Sequence, residues 1–100
     1  MVVSELSGAR VFALHVHDDS MEPLFPEGEI IFVNPDFELQ PGHYGIFLDQ
    51  TGGADPGCLR QFKKIQERYV VHSLNIQYKD TPLTSHQKVI GRVIRLRMKL

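Results

Sequence analysis

Apolar and polar side chains alternate along much of this chain, and the alternation predicts strands. In residues 11–17, VFALHVH, the apolar Phe12, Leu14 and Val16 are separated by small or polar residues. A period of two is typical of a strand with one buried face. Five further segments have the apolar content and length of strands: residues 29–34, 43–49, 58–66, 69–75 and 88–97.

Turn-forming residues separate these segments. They lie at positions 35–36 (Pro-Asp), 41–42 (Pro-Gly), 51–57 (TGGADPG) and 67–68 (Glu-Arg), the last as a hairpin turn. Gly91, inside the last segment, indicates a bulge or a bend. Short strands at this spacing predict an all-β, mostly antiparallel domain with a barrel-like or sandwich arrangement. Only the stretch after Ser20 is expected to form a helical turn.

Length and composition are those of one ordinary globular domain. The chain has 100 residues, of which 42% are hydrophobic and 23% charged. We interpret residues 1–10 as a linker or terminal arm and residues 11–100 as the domain. The single cysteine, Cys58, excludes an internal disulfide, and no metal-ligand spacing surrounds it, so no metal or cofactor is expected. No apolar run approaches the ~20 residues of a membrane span, and no signal peptide is visible, which favours the cytoplasm.

The net charge of −1 argues against nucleic-acid binding by this chain alone. Three arginines in the last segment, Arg92, Arg95 and Arg97, form either a basic stripe or the solvated face of a strand, and the overall charge favours the second interpretation. Any DNA binding is therefore expected to come from a domain outside this chain.

The most informative stretch is HDDSMEPLFPEG, residues 17–28. One interpretation is structural: Asp18, Asp19 or Ser20 caps a helical turn, Glu22 returns a capping hydrogen bond, and Met21 and Leu24 pack inward. The other interpretation makes Ser20 a nucleophile, which requires a base. His17 is a poor candidate, because a strand and the turn that follows it project these two side chains in unrelated directions.

Five segments in order resemble the LexA-like repressor peptidases, the family of LexA, the cleavable phage repressors and the UmuD-type proteins. The first, residues 12–36, resembles the opening strand, Ser-Met pair, Pro-acidic-Gly turn and second strand of that family. The others are QPGHYGIFL, CLRQFKKI, VHSLNIQYKDTPL and VIGRVIRL. The match covers about residues 11 to 97.

This resemblance implies a mostly antiparallel β domain of the kind also seen in signal peptidases. It also implies a reaction in which a serine attacks a peptide bond in the protein's own upstream segment, while a lysine kept neutral by burial takes the serine's proton. Ser20 matches the nucleophile position. Arg60 falls at the position of the general-base lysine.

The arginine is the main departure from the family pattern, because a guanidinium stays protonated at any physiological pH. Lys63 is expected to point to the opposite face of the strand from Arg60. Lys64 shares the face of Arg60, but four residues at ~3.3 Å each place it about 13 Å further along the strand. The sequence therefore predicts a defective Ser-Lys dyad.

The leading hypothesis is a C-terminal dimerisation and regulatory domain of a LexA-like or phage-type transcriptional repressor. Operator DNA would be bound through an N-terminal domain that is not in this chain, and a RecA-type filament of the SOS response or an antirepressor would be a further partner; no membrane partner is expected. A homodimer is predicted because the last segment carries more apolar residues than one face of a small sheet can bury: Val89, Ile90, Val93, Ile94 and Leu96.

Two alternatives remain. One is an active self-cleaving serine peptidase, triggered by a RecA-type filament. The other is a β domain that binds peptides at a cleft without cutting them.

Overall fold

A computed structural model describes residues 10–49, 57–84 and 87–94 of the chain. Seven strands, and no helix, make up the regular secondary structure of these residues, so none of their elements is a helix that could cross a membrane. The strands are β1 (Phe12–His15), β2 (Ile30–Asn34), β3 (Tyr44–Asp49), β4 (Cys58–Ile65), β5 (Arg68–His72), β6 (Thr81–Pro82) and β7 (Gln87–Ile94).

The strands form one sheet in the order β1-β2-β7-β3-β4-β5-β6, and all neighbouring strands are antiparallel. This confirms the predicted all-β, antiparallel class. The expected barrel-like or sandwich arrangement is replaced by a single sheet with β1 and β6 as its outer strands. The difference arises because β7 inserts between β2 and β3, a non-local pairing that no local pattern encodes.

All six predicted segments contain a strand, with three differences in detail. The two-residue β6 was missed, because a Thr-Pro pair carries no strand pattern. The segment predicted as 69–75 ends at His72, since the residues that follow fold over the turn that carries Ser20. The described part of the last strand ends at Ile94, so Arg95, Leu96 and Arg97 lie outside the described residues.

The β4–β5 hairpin turns one residue earlier than predicted. Ile65 pairs with Arg68, so the loop consists of Gln66 and Glu67. Both have positive φ values, 48° and 68°, as a two-residue turn between right-twisted strands requires. Neither is the glycine or asparagine that usually indicates such a turn, which explains the error.

Gly91 adjoins a β-bulge, as predicted from its position inside a strand. Ile46 of β3 pairs with Gly91, whereas the next residue, Phe47, pairs with Val89. Ile90 is therefore the extra residue on β7. A Cβ atom at position 91 would lie 2.6 Å from Val33 Cγ1, so glycine permits β2 and β7 to approach each other here.

Two hydrophobic clusters cover opposite faces of the sheet. Ile46 and Phe47 are consecutive in β3 but belong to different clusters, and consecutive strand side chains point to opposite faces. The larger cluster comprises Val16, Met21, Phe25, Ile31, Val33, Ile46 and Leu59, and the smaller comprises Phe47, Phe62 and Val71. The larger cluster includes residues of the loop between β1 and β2, so this loop is packed into the core.

Replacing Gly91 with alanine is expected to destabilise the fold by about 1–3 kcal/mol, a typical cost of overpacking. The added methyl group would meet Val33, which is fully buried, and the backbone oxygen of Asn34 at 3.1 Å. Urea unfolding measures the difference. Lys88→Ala is the control, because Lys88 lies on the same strand and is exposed; its cost should stay below about 1 kcal/mol. Equal unfolding midpoints for the two variants would contradict this view of the β2–β7 contact.

Candidate functional site

The chain after β1 forms a compact loop that returns to β2. Val16 N–H donates to the Glu29 carbonyl at 2.9 Å, and Gly28 N–H donates to the Val16 carbonyl at 2.8 Å, so these two bonds close the loop at its base. Gly28 has φ +90°, a conformation that favours glycine. Within the loop, Phe25 N–H donates to the Met21 carbonyl at 2.9 Å, which is one helical turn, as predicted.

The apolar contacts of this loop differ in part from those predicted. Met21 is fully buried, as expected. Leu24 is 37% exposed, so its predicted inward packing is wrong. Phe25 is buried in its place, with its ring edge-on to Tyr44 at a centroid distance of 5.0 Å. An i to i+4 bond from residue 21 to residue 25 places these two side chains on one face, which explains the exchange.

The cap of the turn is Asp18. Its Oδ1 accepts the Ser20 N–H at 3.0 Å and the Ser20 hydroxyl at 2.6 Å. In the described part of the chain, the Glu22 side chain returns no capping hydrogen bond. The loop therefore fixes both the backbone and the side chain of Ser20 through one carboxylate.

The second partner of the Ser20 hydroxyl is Arg60, forty residues away on β4. Arg60 Nη1 donates to Ser20 Oγ at 2.7 Å and to the Leu59 carbonyl at 2.8 Å. The guanidinium can only donate and an ionised carboxylate can only accept. The hydroxyl proton must therefore point to Asp18, while an oxygen lone pair faces Arg60. Ser20 itself is 0% exposed.

The ionisation of Asp18 depends on these contacts. Partial burial acts to raise the pKa of its carboxyl. The hydrogen bonds from the Ser20 hydroxyl and N–H, followed by the charges of Arg60 and His17, outweigh burial and hold that pKa below the ordinary value. Asp18 is therefore ionised at neutral pH and is a weak base there, because a strong general base has a pKa near the working pH.

The segment between β5 and β6 folds over this pair. Asn75 N–H donates to the Ser20 carbonyl at 2.9 Å, and Asn75 Nδ2 donates to the Asp19 carbonyl at 3.1 Å. Tyr78 donates its hydroxyl to Asp19 Oδ1 at 2.7 Å, and its ring lies 5.8 Å from the Arg60 guanidinium carbon. The bond to Asp19 is the main cause that raises the pKa of Tyr78, and partial burial adds to it.

Neither lysine of β4 reaches Ser20. Lys64 Nζ lies 3.7 Å from Glu67 Oε2 and 5.7 Å from the Tyr69 ring centroid, at the hairpin. Lys63 alternates with Arg60 and Lys64 along the strand and therefore points to the opposite face. His17 is exposed and, among the described residues, makes no hydrogen bond with Ser20.

The site thus brings together the two residues singled out from the sequence, Ser20 and Arg60, although their catalytic roles stay predictions. It also contains Asp18, which was among the predicted caps, and Asn75 and Tyr78, whose contacts were not predicted. The signal for the last two was their place in the VHSLNIQYKDTPL segment, which resembles the family. No cluster of three potential metal-ligating side chains occurs in the described ranges.

Chemically, the arrangement holds one serine hydroxyl between an anion and a cation. Polarisation by Arg60 makes the oxygen more acidic. Efficient removal of the hydroxyl proton requires an adjacent base that is matched to neutral pH. Neither Asp18 nor Arg60 is such a base.

Comparison with known proteins identifies one family. A family model described as Peptidase S24-like matches residues 2–94. No curated protein matches the chain.

The lowered pKa of Asp18 predicts an acid-sensitive contribution to stability. Because the folded pKa lies below the ordinary value of about 3.9, this contribution is present above about pH 4 and is lost as the pH falls through the folded pKa. Asp18→Asn should therefore flatten the acid limb of a plot of unfolding free energy against pH, as measured by urea unfolding.

Glu22→Gln is the matched control, since Glu22 is an exposed carboxylate of the same loop. Its acid limb should follow that of the wild type. An acid limb equally steep in Asp18→Asn and the wild type would show that the Asp18–Ser20 bonds contribute nothing measurable.

Proposed function

The chain belongs to the Peptidase S24-like family, that of LexA, UmuD and phage-repressor C-terminal domains, and from this membership we propose that it is the dimerising, regulatory domain of a LexA-like or phage-type repressor that does not cleave itself. Operator DNA would then be contacted through a separate N-terminal domain. The proposed role of this domain is to hold two such domains together, so that both halves of an operator are engaged at once.

One contact supports the absence of cleavage: Arg60 Nη1 lies 2.7 Å from Ser20 Oγ. A Ser-Lys dyad requires a neutral amine at this position to take the hydroxyl proton. An arginine guanidinium stays protonated and remains a donor. The general-base contribution of roughly 10²–10⁴ in rate is then lost.

The alternative, an active self-cleaving peptidase, rests on a different contact. The Ser20 hydroxyl donates to the Asp18 carboxylate at 2.6 Å, so a proton acceptor is in place. The lowered pKa of Asp18 weighs against it, because the carboxylate accepts the hydrogen bond but has little tendency to take the proton. The proposal therefore favours an uncleaved domain.

Support for dimerisation comes from the family and from the surface of β7. Val89 is 40% exposed although it lies on a central strand, and Ile94 is only half-buried. Association of two copies by a two-fold axis is the commonest way to cover such a surface.

The first prediction of the proposal concerns Ser20 reactivity. The wild-type protein should keep its intact mass at about pH 9 to 10, where an ordinary lysine begins to lose its proton, and should not be labelled at Ser20 by a fluorophosphonate. The label reports on the nucleophile whether or not a scissile bond lies within reach. Loss of intact mass in the wild type that Ser20→Ala prevents would overturn the proposal.

Restoring the dyad requires two changes rather than one. In Arg60→Lys the new amine would lie near the Asp18 carboxylate, which favours the charged amine. That variant should stay unreactive at neutral pH. Asp18→Ala/Arg60→Lys removes the anion and should gain fluorophosphonate labelling, by at least roughly tenfold if a general base is regained. Labelling must disappear when Ser20→Ala is added, and equal labelling of the single and double variants would contradict the role given to Asp18.

The third prediction concerns assembly. Sedimentation equilibrium at tens of micromolar should give twice the monomer mass of 11.4 kDa. Val89→Glu should shift the equilibrium toward monomer, because it places a charge on the exposed apolar surface of β7. Lys64→Glu, an exposed change at the β4–β5 hairpin, is the control and should leave the mass unchanged. A wild-type monomer across this range would contradict the dimer.

A further inference from the structure

A cavity of about 160 Å³ lies between the sheet and the segment that precedes β6. Its lining includes Phe47 and Val71, two buried residues of the smaller hydrophobic cluster. Polar side chains also line it: Arg60, Tyr78, Lys79, Thr81 and Gln87. The volume is far above the ~10–15 Å³ that one water molecule requires, so several non-hydrogen atoms fit.

The charges around the cavity have one sign. Arg60 and Lys79 line it, and no carboxylate does so among the described residues. Arg60 uses Nη1 for Ser20 and Leu59, and it makes no other described hydrogen bond. Lys79 forms no ion pair with any described residue. The cavity therefore offers cationic donors beside an apolar wall.

We propose that this cavity binds a carboxylate carried on a short apolar stem, with Arg60 and Lys79 on the carboxylate and Phe47 and Val71 against the stem. A guanidinium matches the two oxygens of a carboxylate, and an ammonium adds a second charge-assisted bond. Thr81 and Gln87 supply neutral hydrogen-bond donors at the same wall. The C-terminal residue of a peptide and a free short-chain carboxylic acid both have this chemistry.

This inference rests on the proposed function, because it requires Arg60 to be a permanent cation that binds an anion and not a base that accepts the Ser20 proton. Asp18 balances part of the Arg60 charge from the side of Ser20. Lys79 forms no ion pair with a described residue and should therefore contribute most of the selectivity for an anion.

The test is a titration of the isotopically labelled protein, followed through its backbone amide NMR signals. Three probes are compared: butanoate, the tripeptide acetyl-Ala-Ala-Val with a free carboxylate, and the same tripeptide as its amide. Saturable shifts at Val71, Thr81 and Gln87 are expected for both carboxylates and not for the amide. Tighter binding of the tripeptide acid than of butanoate would identify a peptide C-terminus, and equal binding a free acid.

Lys79→Gln should raise the dissociation constant of either carboxylate roughly tenfold, the loss of one charge-assisted hydrogen bond. Lys64→Gln is the matched control, since Lys64 is a lysine of the β4–β5 hairpin that does not line the cavity. It should leave the constant unchanged. Any one of three results would overturn the inference. They are equal dissociation constants for the two variants, binding of the amide as tight as that of the acid, and no saturation of the NMR shifts at tens of millimolar.

The outcome is separable from that of the proposed function. If Ser20 stays unlabelled and no carboxylate binds, only this inference fails. If wild-type Ser20 is labelled rapidly, the proposed function fails whatever the titration shows.

Discussion

The contact between Ser20 Oγ and Arg60 Nη1 is the interaction on which the site depends. It joins the loop after β1 to the fourth strand of the sheet, across forty residues of sequence. Because an arginine cannot release its proton in this environment, the contact fixes the hydroxyl as an acceptor toward β4 and as a donor toward Asp18. The Ser20 hydroxyl is thus held between a carboxylate and a permanent cation.

The surrounding fold is arranged so that this contact persists. The loop that carries Ser20 is closed at its base by the bonds of Val16, and its apolar side chains are part of the larger core cluster. On the other side, Asn75 and Tyr78 bind the backbone of Ser20 and the side chain of Asp19. Removal of one member of such a pair leaves a buried polar or charged group without its partner, which costs more than the pair contributes.

Sequence patterns were sufficient for some of these features and not for others. The period-two alternation around Phe12 and the turn residues between segments located the strands, because these signals are local. The order of strands could not be predicted from local patterns, because nothing in the sequence of residues 87–94 indicates that they pair with both β2 and β3. Gly91 was recognised as a bulge position from its place within a strand, whereas the hairpin turn at Gln66 was misplaced because those residues rarely take positive φ.

The site divides in the same way. Ser20 and Arg60 were identified by their alignment with a family pattern, and spacing along β4 correctly kept Lys63 and Lys64 away from Ser20. Asp18 was considered as a cap, but a local pattern cannot show that one carboxylate oxygen receives both the N–H and the hydroxyl of Ser20. The contacts of Tyr78 depend on how the segment after β5 folds back, which is tertiary information.

The Arg60 guanidinium acts toward two neighbours, Ser20 and the cavity. Toward Ser20, the Arg60 charge adds to the hydrogen bonds from Ser20 in lowering the pKa of Asp18, the described acceptor of the hydroxyl proton. Toward the cavity, the same guanidinium lies beside an apolar wall and Lys79. A lysine deprotonated by burial would provide neither effect, because a neutral amine neither stabilises an adjacent carboxylate nor attracts an anion. The inability of arginine to lose its charge therefore underlies both proposals, the uncleaved domain and the anion-binding cavity.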